Sequence, residues 1–317
     1  MEVKLSKNAK IIIPGAAGLV GQNLVVQLKD KGYKNLVAID KRRDNIEILR
    51  EIHPDITIIE ADVSEPGSWQ DSLANADVVL MLQAQIGSKY SDDFIRNNVK
   101  SAELVLATSK QHHVPYIVHI SSSVVESVAD DDYTNTKKEQ ERLVIESGIP
   151  YCILRPTLMF GWFDRKHLGW LSRFMKRIPV FPIPGDGKYM RQPLYVRDFC
   201  KIIIAGMEMQ PDNQIYNITG RENVDYVDII RKIRNTIKSK TLIIHIPTSL
   251  FSLLLRIYAL FDDNPPFTAE QLKALKADDV FELIPWWDIF HVDSTPFDQA
   301  IYETFQDKIY SRYVLKF

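Results

Sequence analysis

Cysteine is nearly absent from this chain of 317 residues, which holds only Cys152 and Cys200. Two lone thiols give neither a disulfide framework nor a metal-ligand spacing. Both read as reduced, buried side chains, and no metal site is expected. A strong charge of either sign is also missing. The formal net charge is −2, so there is no overall attraction to nucleic acid. No apolar run is long enough for the about 20 residues that cross a bilayer. SLFSLLLRIYALF, Ser249 to Phe261, reads as a buried helix, with an interfacial helix touching lipid or a partner as the alternative. Repeats, low-complexity tracts and long linkers are lacking. MEVKLSKNAK leads straight into an apolar run, so no secretory signal is read there and a cytoplasmic setting is expected.

What is present is alternation. AKIIIPG is a short apolar run ending at glycine and reads as a buried strand. GLVGQNLVVQLKDKG then places Leu19, Val20, Leu24, Val25 and Leu28 at helical spacing. NLVAID, DITIIEAD, DVVLMLQA, PYIVHISSS and YCILRPT read as further strands. NIEILREI, SWQDSLANA, Phe94 to Gln111, and KKEQERLVIESG read as the helices between them. This is the pattern of an α/β fold, a Rossmann-type doubly wound parallel sheet with helices on both faces. Ligands of such sheets sit beyond the carboxyl ends of the strands, so residues just after each strand become candidates.

After the first strand comes GAAGLVG, with Gly15, Gly18 and Gly21. A tight strand-turn-helix needs glycine where a side chain would block a pyrophosphate or the helix packing. The helix start at Leu19 and Val20 offers free N–H groups and a positive dipole end to phosphate. Asp40 closes the second strand, where a carboxylate accepts hydrogen bonds from adenosine ribose hydroxyls. That carboxylate repels a 2′-phosphate, so NAD is favoured over NADP. Lys41, Arg42 and Arg43 follow at once and keep NADP as the alternative. Asp62, with Val63, is either an adenine contact or a turn-forming Asp. Gln83 and Ala84 end the fourth strand and line the cofactor. His112 and His113 read as loop residues and His119 as a packed strand residue.

DDDYTNTKKEQE holds Tyr133 and Lys137, the chain's one Tyr-x-x-x-Lys pair. By itself the pair is what chance provides. Here it follows the serines of HISSS at the sheet's carboxyl edge and begins a helix that puts both side chains on one face. A tyrosine beside an ammonium and a cationic nicotinamide is expected to have its pKa lowered toward working pH. It can then move a proton to or from a hydroxyl or carbonyl while a serine holds the oxygen.

With these residues in place the chain resembles the extended short-chain dehydrogenases/reductases of the NAD-dependent epimerase/dehydratase type. The resemblance rests on GAAGLVG, Asp40, SSS at 121–123, YTNTK at 133–137, LRPTLMFG at 154–161 and RQPLYVRDF at 191–199. It implies Ser123 as the catalytic serine with Ser122 its neighbour, Tyr133 as base and Lys137 as its partner. It also implies Asn98 supporting the lysine side, Pro156 against the nicotinamide, and Arg191 gripping a nucleotide-sugar phosphate. The alternative for Arg191 is an ion pair on a solvated loop. Three departures stand out. Pro14 precedes the first glycine, VVES follows Ser123 where a Val-Tyr-Gly turn is common, and no Asp-Glu pair follows the serine. The last speaks against a 4,6-dehydratase. No second phosphate-binding arginine is evident near the C-terminus.

The resemblance sets residues 1–160, with a return near 190–220, as the dinucleotide-binding domain, and 161–189 with 221–317 as a smaller α/β substrate domain. QIYNITG reads as a final strand of the sheet. Asn223 to Lys238 is read as a helix, TLIIHIP as a strand, and FTAEQLKAL and STPFDQAIYETF as later helices. Trp162, Trp170, Trp286 and Trp287 read as packing residues, with sugar stacking as the alternative. The resulting expectation is an epimerase of a nucleotide-linked sugar and, by resemblance, a homodimer. The alternatives are a net reductase of a sugar, lipid-linked or steroid-like ketone, and a non-catalytic dinucleotide-binding regulator.

Overall fold

The computed structural model describes residues 5–258 and 282–316. The first half alternates as its sequence pattern predicts. In order come β1 (Ile11–Pro14), α1 (Leu19–Asp30), β2 (Leu36–Asp40), α2 (Arg43–Ile52), β3 (Thr57–Glu60) and β4 (Val78–Met81). A helical stretch follows in three parts: α3 (Ser91–Phe94), a π-helical segment (Ile95–Lys100) and α4 (Ser101–Gln111). Then come β5 (Ile117–Ile120), α5 (Asp132–Glu146) and β6 (Tyr151–Pro156). SWQDSLANA forms only a 3-10 helix, Ser68–Leu73. It anchors through Trp69 and Leu73, the two residues it buries.

Seven parallel strands make one sheet in the order β11-β6-β5-β4-β1-β2-β3, with β11 (Gln214–Ile218) as the predicted final strand. β1, β4 and β5 are buried along their whole length, as strands covered on both faces must be. One face packs on α1 and on α7 (Val196–Met209) through Leu24, Val25, Phe199 and Ile203. The other packs on α4 and α5 through Val105, Leu106 and Val144. Each fully buried aliphatic of these layers contributes roughly 1.5–3 kcal/mol.

Beyond the carboxyl end of β6 the chain leaves the alternation. β7 (Met159–Phe160) pairs with β10 (Leu194–Tyr195), β8 (Val180–Pro184) with β13 (Leu242–Ile246), and β9 (Met190–Arg191) with β12 (Val224–Asp225). With α6 (His167–Met175), α8 (Tyr226–Thr236) and a late helix at Phe297–Gln306 they enclose a second core around Phe160, Phe181, Ile183, Ile230 and Phe297. α9 (Thr248–Tyr258) and α10 (Trp286–Ile289) precede that late helix, labelled α11.

One expectation meets a different outcome. The apolar stretch from Ser249 is helical, but it is not the buried helix it resembles. Leu250, Leu253, Leu254 and Ile257 stand 44%, 53%, 47% and 44% exposed. They fall at i, i+3, i+4 and i+7, so the helix turns one whole apolar stripe outward. Its last residues, 259–261, and the helix expected at 267–275 lie outside the described residues. Among the described residues no helix is long and apolar enough to cross a membrane. The tryptophans pack as read. Trp162 rests on Tyr310, Trp286 is buried and donates to Thr219 O, Trp170 stacks on Phe174, and Trp287 lies under Arg221.

Candidate active site

The carboxyl edge of β1 carries a phosphate-sized cradle. Gly15 adopts φ +83°, and a Cβ there would come within 2.7 Å of Gln83 N. A Cβ on Gly21 would come within 2.3 Å of Ala16 O. Glycine is therefore required at both positions by the turn and by the approach of helix to strand. Gly18 is the N-cap of α1 and no side chain caps the helix. The first N–H groups, at Leu19, Val20 and Gly21, are left facing the turn, as a helix start leaves them for an anion. Two buried oxygens and a nitrogen nearby have no protein partner: Gln22 Oε1 and both amide atoms of Gln83. These features fit a dinucleotide pyrophosphate laid across the loop.

Asp40 lies where the ribose reading put it, at the end of β2. Its Oδ2 accepts from Ala17 N at 3.0 Å and its Oδ1 from Arg42 N at 3.0 Å. Burial raises its pKa, and the backbone N–H groups oppose that rise. Asp62 is a turn residue in this structure. It accepts from Ser64 N and Oγ and pairs with Lys41 at 3.0 Å and Arg96 at 2.8 Å. Four protein donors occupy the carboxylate that was also read as an adenine contact. Val63 is buried beside it. Lys41, bound to Asp62 and Asn97, is tied down. The sequence reading missed two cations, Arg165 and Lys166. Arg165 is pushed down to about 10 by burial and by Arg42. Lys166 Nζ lies 3.7 Å from where a Gly87 Cβ would be, in the loop after β4. Arg42 follows β2, and its charge acts on both Arg165 and Lys166, so the three cations form one positive group. Its only sequence trace was DRK after Gly161.

The acid–base group lies two strands along. Asp131 caps α5 by accepting from Thr134 N at 2.9 Å, which fixes the helix start and with it Tyr133. The Ser122 side chain is the neighbour that acts on the Tyr133 hydroxyl. Ser123, the serine that the resemblance implies, opens the 3-10 helix Ser123–Glu126. β5 ends at Ile120, three residues before the end of HISSS, and Ser122 is the N-cap of that 3-10 helix. The tyrosine pKa also departs from expectation. Burial raises it, Ser122 opposes, and Asp131 adds to the rise. Lys137 does not offset this, because burial pushes its own pKa down to about 7.

Lys137 has no accessible surface. Its ammonium donates to Ile120 O at 2.9 Å and to Gln140 Oε1 at 2.5 Å. Asn98 does not touch it. Asn98 sits in the π-helical segment, accepts from Gln85 N at 2.6 Å, and donates to Gln85 O and to Thr136 Oγ1. It holds the loop after β4 to α5, so its support for the lysine is indirect. A π-turn in a long helix is a common companion of functional sites. Arg155 pairs with Glu141 and Glu126, tying the serine turn to α5 and β6. Pro156 ends β6 opposite Ile218. Ala84 follows Gln83 in the exposed loop after β4. Arg191 lies on β9 with its charge beside partly buried Tyr226, half-buried rather than on a solvated loop.

The model of the NAD dependent epimerase/dehydratase family matches residues 11–219, more than half of the chain. The chain belongs to that family. It is an enzyme family that depends on NAD, and NAD is the cofactor the cradle serves. Among curated relatives, the low-salt glycan biosynthesis protein Agl12 of Haloferax volcanii is 25% identical over 255 residues, 70% of this chain and 81% of that protein. A UDP-N-acetyl-alpha-D-glucosaminuronate decarboxylase of Bacillus cytotoxicus is 23% identical over 267 residues, 75% of this chain and 83% of that one. Among solved structures, a UDP-N-acetylglucosamine 4-epimerase from Methanobrevibacter ruminantium superposes with a TM-score of 0.73 at 17% identity. That superposition covers 94% of this chain and 97% of the other, and carries the fold.

Proposed function

We propose that this family member is an epimerase of a nucleotide-linked sugar. The observation that carries the reading is Tyr133, beside Ser122 at the sheet edge, with Lys137 one helical turn behind it. Ser122 holds the oxygen of a ring carbinol. Tyr133 takes that oxygen's proton and later returns it, for which it must lose its own proton despite the burial that opposes this. Lys137, when charged, favours the phenolate. NAD, when bound, supplies the reversible hydride store that lets the carbinol centre be oxidised and reduced again on its other face. Arg191 is the candidate for the nucleotide phosphates, and Arg221, over the Trp287 ring, follows β11. A homodimer and a cytoplasmic setting belong to the same reading. Both Cys152 and Cys200 are free and buried, which is compatible with that setting.

One observation favours a second reading. The outward apolar stripe of α9 suits a net reductase of a lipid-linked or steroid-like ketone. Denaturing the purified protein and identifying the released small molecules by mass spectrometry separates the two. Retained NAD, above all with a nucleotide sugar, supports the epimerase. An empty protein that consumes NADH or NADPH stoichiometrically with an apolar ketone overturns it.

A further inference from the structure

Gln140 stands out among the buried polar residues of α5. It has no accessible surface, and the next residue on its face, Val144, belongs to the apolar layer. A leucine or alanine there would favour the helix and avoid burying an amide. Both ends of the amide are hydrogen-bonded instead. Its Oε1 accepts from Lys137 Nζ at 2.5 Å, and its Nε2 donates to Gln83 O at 3.3 Å. It thus braces the lysine against the end of β4, the strand whose last residues border the glycine cradle.

An ammonium has three N–H donors. Ile120 O takes one and Gln140 takes the second. One is left, with the direction set by the other two. The charged and titratable groups around it are few. On its own helix are Tyr133 and Glu141, and Glu141 is held by Arg155 of β6 at 2.7 Å. From β5 comes His119, fully buried, with neither ring nitrogen partnered and its pKa lowered by burial and by Lys137. β4 contributes uncharged Gln83, and the π-helical segment uncharged Asn98. Nothing but the Gln140 carbonyl and the Ile120 carbonyl directly solvates the ammonium among the described residues.

We propose that Gln140 is a positioning residue for Lys137. It keeps the lysine protonated and leaves its third donor aimed at a ribose hydroxyl of bound dinucleotide. This rests on the Tyr133–Lys137 reading above. The test follows Lys137 itself, so the two can fail separately. The Lys137 side chain would be titrated by 13C NMR in the full-length protein, assigned with Lys137→Met, in wild type, Gln140→Leu, Gln140→Met and Gln140→Glu. NADH affinity would be measured in parallel by fluorescence. Loss of the Gln140 carbonyl should lower the lysine midpoint by about one pH unit, a tenfold change, and weaken NADH by roughly 3- to 10-fold at neutral pH. Gln140→Glu should move the midpoint upward. Thermal melts identify any variant that fails to fold, and Gln140→Met serves if Gln140→Leu does. An unmoved midpoint with unmoved NADH affinity in a folded variant would make Gln140 a packing residue and sink the proposal. A shifted midpoint in a protein whose Lys137→Met form keeps full activity would uphold the brace but refute the acid–base reading.

Discussion

α5 and α9 differ in what they bury, and each does the opposite of its composition. α5 opens with DYTNTKKEQE, yet Thr136, Lys137, Gln140 and Glu141 are all buried. α9 is built of SLFSLLLRI, yet four of its aliphatic side chains face outward. Place in the chain accounts for the contrast. α5 crosses from β5 to β6, parallel neighbours, so it must lie on the sheet whatever its residues are. α9 follows β13, the partner of β8 in a two-stranded sheet that offers far less surface to cover. A buried polar face costs free energy unless it is fully hydrogen-bonded. A helix that bears that cost does so for the chemistry at its start.

The largest way to break this contrast is at Tyr133. Tyr133→Phe keeps the ring and its packing and removes only the hydroxyl beside Ser122. Single-turnover reduction of bound NAD by a panel of nucleotide sugars, read by NADH fluorescence, should slow by about 10²–10⁴-fold. NAD binding should be little changed. An unaffected rate would turn the polar face of α5 into mere architecture.

The buried lysine sharpens the same contrast through pH. Its folded pKa is near 7, well below the about 10.4 of an unfolded lysine. Between those values the unfolded chain binds more protons, so stability should rise with pH. From pH 7 to 9 the wild type should gain about 2 kcal/mol relative to Lys137→Met, as obtained by chemical denaturation at each pH. A flat difference would mean that the lysine enters the core already neutral or is better solvated than its partners indicate.

Much of this was legible in the sequence because periodicity and the strand-end rule are local. GAAGLVG, Asp40 and the Tyr133–Lys137 spacing needed no tertiary knowledge, and the sheet followed from alternation alone. What was not legible needed partners distant in sequence. Which serine lies beside Tyr133 depends on where β5 ends, a boundary that no pattern fixes. Asp62 looked free for adenine until Arg96, 34 residues on, filled it. VFPIP carries two prolines, and only its pairing with LIIHI some 60 residues later makes it a strand. In α9 the stripe at i, i+3, i+4 and i+7 announced a face but not what it faces.

The smallest expected effect is therefore the most informative about α9. Val144 in α5 has no accessible surface, whereas Leu253 in α9 is 53% exposed. Val144→Ala should cost about 2 kcal/mol, the lost transfer energy plus a cavity. Leu253→Ala removes more atoms, yet should cost within about 0.5 kcal/mol, as surface changes do. Urea unfolding of the two variants beside the wild type reads both values from midpoints at constant slope. If Leu253→Ala costs as much as Val144→Ala, the stripe of α9 is covered in the folded protein. The inverted burial of the two helices would then hold only for α5.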